Sequence, residues 1–190
     1  ASLAESATVW EAMIKQCGAI KVDNLEEMVE TIKTLLYIKP PTGNRVGLIA
    51  MTGGQSVMIS DSFAKAGLAI PLLSEDSYRR FAGFFNTIGG SYKNPLDVSP
   101  TFFGIEDTAA LSNLTQMLDI LNNDGNIDTI VLEVSAPLLA PRWQHNPELL
   151  NGMLRLLSNF RQQARKSFLV VVIASHREAE ALQLRDQLVN

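Results

Sequence analysis

The chain has 190 residues, 46% of them hydrophobic, and a formal net charge of -4. That is enough chain for one buried core with room for an appendage, and it carries no basic field of the kind that draws nucleic acid or anionic lipid. The single cysteine, Cys17, excludes an internal disulfide and fits a reducing cytoplasm, and the longest apolar run, Phe168 to Ala174, is far short of the ~20 residues that span a bilayer.

In chain order, residues 6–16 read as a helix with Val9, Ala12, Met13 and Gln16 along one side and Gly18 as its stop. Asp23 is expected to cap a second helix, with Glu26 at capping-box spacing. Its apolar positions Leu25, Met28, Val29, Ile32, Leu35 and Leu36 fall on one face. The stretch Lys39-Pro40-Pro41-Thr42-Gly43-Asn44 cannot continue a helix and reads as a linker. Residues 1–44 are therefore expected to be a helical segment and linker leaving a preceding domain.

From Arg45 the pattern changes. Arg45 to Met51 reads as a buried parallel strand that runs into Thr52-Gly53-Gly54. A helix from Gln55 to Lys65, a strand at Leu68-Ala69-Ile70 and a helix from Ser74 to about Phe85 follow. Gly89 to Pro95 reads as irregular. A helix over Asp107–Leu121 leads to a strand over Ile127–Val134, and Pro137 to Pro147 is expected to be a loop. A helix over Glu148–Arg165, the strand Phe168–Ala174 and a last helix over Arg177–Leu188 complete the chain. Alternating strands and helices over 45–190 predict an α/β fold: a flavodoxin-like, doubly wound parallel sheet with helices on both faces.

In such sheets ligands bind beyond the carboxyl ends of the strands. Thr52, Gly53, Gly54, Gln55 and Ser56 sit where a strand meets a helix start. Backbone N–H groups and the helix dipole there favour a phosphate. The segment lacks the lysine of a P-loop, and a plain tight turn needing positive φ is the competing reading. Asn94 and Asp97, flanking Pro95, read either as a structured turn or as residues shaping a site. His145 and His176 have no partner at metal-ligand spacing. Arg142-Trp143 reads as loop packing or as a partner contact.

The run RVGLIAMTGGQSVMISDSFAKAGLAIPLLSEDSYRRF, followed by SYKNPLDVSP, resembles the third α-subunit domain of the NDP-forming acyl-CoA synthetases. There a strand, a Gly-rich loop, a helix, "AGL", a "LSE" helix and "NPVDL" occur in this order. The same domain corresponds to the carboxy-terminal CoA-ligase domain of the succinyl-CoA synthetase β subunit. The resemblance implies a phosphate cradle at Thr52, Gly53, Gly54, Gln55 and Ser56, with Asn94 and Asp97 shaping it. It implies no catalytic residue in this chain, and the spacing of its histidines leads to the expectation of no metal site.

The phosphorylated histidine of that family would lie upstream of Ala1. The start at Ala1-Ser2-Leu3 without a methionine and the stop at Gln187-Leu188-Val189-Asn190 at the end of a helical pattern with no cap read as points within a longer polypeptide, and the isolated chain is expected to be inactive. The resemblance further implies that CoA and ATP or ADP with magnesium are bound by other parts of a complete, cytoplasmic enzyme. The partners it implies are CoA-binding, phosphohistidine and ATP-grasp domains. Gln55-Ser56 depart from the family pattern, standing where further glycine and proline are common. Two other readings remain at this level: a non-catalytic synthetase-like region of a protein lysine acetyltransferase, and a free-standing flavodoxin-like binding module.

Overall fold

The computed structural model describes residues 7–189 and divides the chain into two compact units, one reaching to Ile38 and one beginning at Lys39. The first unit holds helices α1 (Ala7–Cys17) and α2 (Leu25–Tyr37). Gly18 ends α1 with φ 65°, a left-handed conformation that glycine adopts without steric penalty. The expected cap of α2 is displaced by one residue. Asn24, not Asp23, accepts from the Glu27 N–H at 2.8 Å, and the Glu27 carboxylate accepts from the Asp23 N–H at 2.7 Å. The physical content of a capping box survives the shift, since the side chains serve N–H groups that the helix cannot.

In the second unit, β1 (Val46–Ala50) leads into α3 (Gly53–Lys65), and α4 (Glu75–Ala82) precedes a two-residue strand β2 (Leu96–Asp97). Then come α5 (Ser99–Phe102), α6 (Asp107–Asn123) and β3 (Thr129–Ser135). The series closes with α7 (Ala136–His145), α8 (Pro147–Gln163), β4 (Ser167–Ile173) and α9 (Glu178–Val189). The sheet has four strands in the order β2-β1-β3-β4, all parallel. This is the flavodoxin-like α/β arrangement read from the sequence.

Two local expectations are corrected, and one short helix had no sequence expectation. Leu68-Ala69-Ile70 does not form a strand among the described residues, and only Ala69 bridges to Arg45. The edge position beside β1 passes instead to Leu96-Asp97, which pair with Ile49 and Ala50. The stretch 137–147 is helical as α7. Pro137 falls in its first turn, where no N–H is required, so only Pro141 costs an internal bond. Burial of Leu139, Ala140 and Trp143 offsets that loss. Finally, α5 rises from the segment after Asp97, with Pro100 in its first turn.

Alternation along the strands sends side chains to two layers. Ile49, Met51, Ile130, Leu132 and Val134 join the larger core with α6 residues Leu114, Met117, Leu118 and Leu121 and with Trp143, Met153 and Leu157. Val46, Leu48 and Val131 face the other way and pack with Ile59 of α3.

At the amino ends of β1 and β3, Asp128 accepts from the Arg45 side chain at 2.6 and 2.8 Å and from its backbone N–H at 3.1 Å. The Arg45 guanidinium holds the Asp128 carboxyl down at about 2. A carboxyl depressed in the folded state stabilises above its unfolded pKa, and that contribution fades as pH falls through the folded value. Asp128→Asn should therefore lower the denaturation midpoint at pH 7. Its deficit relative to the parent should shrink as pH falls from about 4 towards 2, as followed by urea titration at several pH values. A deficit independent of pH over that range would refute the assignment.

Candidate functional site

The carboxyl end of β1 builds the site. Strand β1 ends at Ala50, whose carbonyl accepts from the Val98 N–H at 3.0 Å. Thr52 is extended and caps α3, its hydroxyl accepting from the Gln55 N–H at 3.3 Å. The Ser56 N–H donates to the Thr52 carbonyl at 3.0 Å, and the Ser56 hydroxyl, buried, donates to the Gly53 carbonyl at 2.7 Å. Of the five sequence-predicted residues, the helix thus uses the N–H groups of Gln55 and Ser56 itself. The N–H groups of Gly53 and Gly54, at the first helical positions, have no acceptor within the helix and carry its positive end.

Neither glycine has positive φ, so a turn that needs glycine for its conformation is not the explanation for the pair. Space is the explanation at Gly53. A Cβ there would stand 2.9 Å from the Asp97 carboxylate. At Gly54 a Cβ would meet nothing within 4 Å, and that position faces solvent. Asp97 is therefore brought to the cradle: its second oxygen accepts from the Ser99 N–H at 3.2 Å, and its backbone exchanges two bonds with Ser91.

Asn94 is not at the cradle. It is buried in the gap between Ala69 and Leu96 along the edge of β1, where its side chain acts as a missing piece of strand. It accepts from the Leu48 N–H at 3.0 Å and donates to the Val46 and Pro71 carbonyls at 2.8 Å each. Its part in shaping the site is to complete the strand that carries the turn.

His145, at the end of α7, and His176, after β4, are both exposed. Trp143 is buried in the core, and Arg142 lies over the rings of Phe102 and Phe103 while pairing with Asp107. This favours packing over a partner contact for the Arg142-Trp143 pair.

A residue not anticipated from the sequence lies beneath the turn. Glu133 of β3 is fully buried, and its Oε2 accepts from the Met51 N–H at 2.6 Å. Its Oε1 has no hydrogen-bond partner. Burial pushes its carboxyl above the ordinary range, against a smaller opposing effect of the Met51 N–H. The available signal was a single carboxylate inside the apolar run TIVLEVS, since a charge in a strand buried on both faces needs a reason.

An open parallel sheet with a capped, glycine-opened helix start at the carboxyl end of β1 defines the class as a flavodoxin-like α/β domain. No family model matches the chain. Along 189 residues, 98% of its length, it is 29% identical to acetate–CoA ligase [ADP-forming] I subunit alpha of Pyrococcus furiosus, covering 37% of that protein. It is also 29% identical over 140 residues, 73% of its length, to the II subunit alpha of the same organism, covering 28% of it. An acetyl-coenzyme A synthetase 1 of Ca. Korarchaeum cryptofilum, solved with phosphate and ADP, shares the fold. The TM-score is 0.72 at 18% identity, over 98% of this chain and 37% of that one. The resemblance to the NDP-forming acyl-CoA synthetases thus holds in sequence and in fold, and the chain spans well under half the length of these relatives.

Proposed function

We propose that the chain is the CoA-ligase domain of an NDP-forming acyl-CoA synthetase. The whole enzyme would catalyse acyl-CoA + phosphate + NDP = carboxylate + CoA + NTP. Acyl-CoA and phosphate give an acyl phosphate and CoA, and the acyl phosphate passes its phosphoryl group to a histidine on another part of the parent polypeptide. That histidine then delivers it to the nucleoside diphosphate. The role of this chain is electrostatic. The Gly53 and Gly54 N–H groups and the α3 dipole stabilise the phosphoryl group while it occupies the CoA-ligase site, and no bond is made to this domain.

The observation that carries the reading is the glycine-opened, Thr52-capped start of α3 at the carboxyl edge of β1, in a chain aligned along 98% of its length with an ADP-forming acetate–CoA ligase subunit. Asp97 limits the cradle on the Gly53 side, while the space beside Gly54 is open.

The test uses the complete parent protein and γ-labelled ATP. The expected result is an acid-labile, base-stable phosphoenzyme whose label is discharged by CoA plus a carboxylic acid, while the isolated 190-residue chain forms no acyl-CoA. Absence of label on an intact parent, or turnover by the isolated chain, would overturn the proposal.

A further inference from the structure

The alternation of β3 places Glu133 on the same face of the sheet as Val131, which packs against Ile59 of α3. Glu133 is one step further towards the carboxyl edge, and α3 runs back from that edge. Its carboxyl therefore lies under the opening turn of α3, consistent with the bond from Met51, two residues before Gly53. A fully buried carboxyl is thus set directly behind the cradle, with one oxygen fixing the base of the turn and the other unpartnered. An ionised carboxylate buried with a single hydrogen bond is costly. Ionised, it would also set its negative charge against any anion sharing the helix terminus.

We propose that the anion site at the start of α3 is proton-linked through Glu133: an anion binds over Gly53 and Gly54 when the Glu133 carboxyl carries a proton, and binding draws a proton onto it. This rests on the cradle described above and adds to it a positioning residue, which acts on the ligand through the Met51 turn and through its own charge state. The upward displacement of its carboxyl by burial agrees in direction.

Other charges at this position are few. The flanking strands β1 and β4 contain no charged residue, α3 has none before Asp61, and α7 has none before Arg142, which pairs with Asp107. The other ionisable groups at this edge, Asp97, His176, Glu178 and the Arg177–Glu180 pair at the start of α9, are all more exposed than Glu133.

The test titrates the full 190-residue chain with sulfate, a dianion whose charge is constant from about pH 5 to about pH 8, and follows the Gly53 and Gly54 amide resonances. The expected result is that the sulfate Kd rises with pH, by up to about tenfold per unit above the carboxyl's pKa, as linkage to one proton requires. Glu133→Gln, and independently Glu133→Met, should remove that slope and hold the affinity near the low-pH value of the parent. A flat Kd in the parent overturns the proposal, as does an unchanged slope in either folded variant. The parent's own slope decides the matter if both variants misfold. If sulfate leaves Gly53 and Gly54 undisturbed at every pH, the cradle itself is wrong and this inference falls with it. Sulfate binding there without a Glu133-dependent slope leaves the cradle standing and removes only the proton linkage.

Discussion

Asn94→Ala is expected to lower the unfolding free energy by about 3–5 kcal/mol, the cost of leaving two buried backbone groups and one half-buried one without partners at roughly 1–3 kcal/mol each, less what relaxation recovers. Those groups are the Leu48 N–H and the Val46 and Pro71 carbonyls, all served by one buried amide. Water cannot easily replace it, because Asn94 is itself only 8% exposed and Leu48 is fully buried. Asn94→Asp should be at least as damaging. It keeps an acceptor for Leu48 but turns the donor end into an oxygen facing two carbonyls, with a buried charge added. The check is the urea midpoint at constant m-value. A loss under about 1 kcal/mol for Asn94→Ala would show that the edge of β1 does not depend on this side chain.

The second large effect is functional. Gly53→Val should abolish measurable anion binding at the cradle while the protein still folds, with a stability cost of about 1–3 kcal/mol from the crowding. The reason is spatial, since the Cβ alone would stand 2.9 Å from Asp97 Oδ2 and that carboxyl is already tied to the Ser99 N–H. Either Asp97 or the first turn of α3 must move, and both line the anion position. Gly54→Ala is the control. Its Cβ meets open space, and alanine is favoured over glycine in a helix by about 0.5–1 kcal/mol, so stability should hold or rise and binding should persist. Phosphate titration of the two variants, with folding verified by circular dichroism, separates them. Equal binding by Gly53→Val and Gly54→Ala would contradict the geometry.

The strands β1, β3 and β4 and the helices α2, α3, α6, α8 and α9 were legible in the sequence because each carries its own periodicity, continuous for the buried strands and near 3.6 residues for the helices. What was not legible depends on partners distant in sequence. Leu96-Asp97 is too short to show any period, and it becomes a strand only because Ile49 and Ala50 are beside it. Leu68-Ala69-Ile70 has strand composition but obtains a single bridge, the neighbouring stretch of β1 being paired with the Asn94 side chain. α7 was obscured by its two prolines, which local rules count against a helix although one stands where a helix tolerates it.

At the site, the Thr52-Gly53-Gly54 turn was visible as a strand-to-helix junction, but the division of labour within it was not. That Ser56 and Gln55 spend their N–H groups on Thr52 follows from the cap, and that Gly53 is needed for space follows from Asp97, some forty positions away. Glu133 was visible only as an oddity of composition. Its meaning comes from the Met51 N–H.

The proposed electrostatic role of the start of α3 is tested most directly on the complete parent carrying Gly54→Glu. The added carboxylate has open space around it and would occupy the positive end of α3 that the phosphoryl group needs. The expected result is a phosphoenzyme that still forms from labelled ATP but is no longer discharged by CoA and a carboxylic acid. Discharge at the rate of the unsubstituted parent would contradict it.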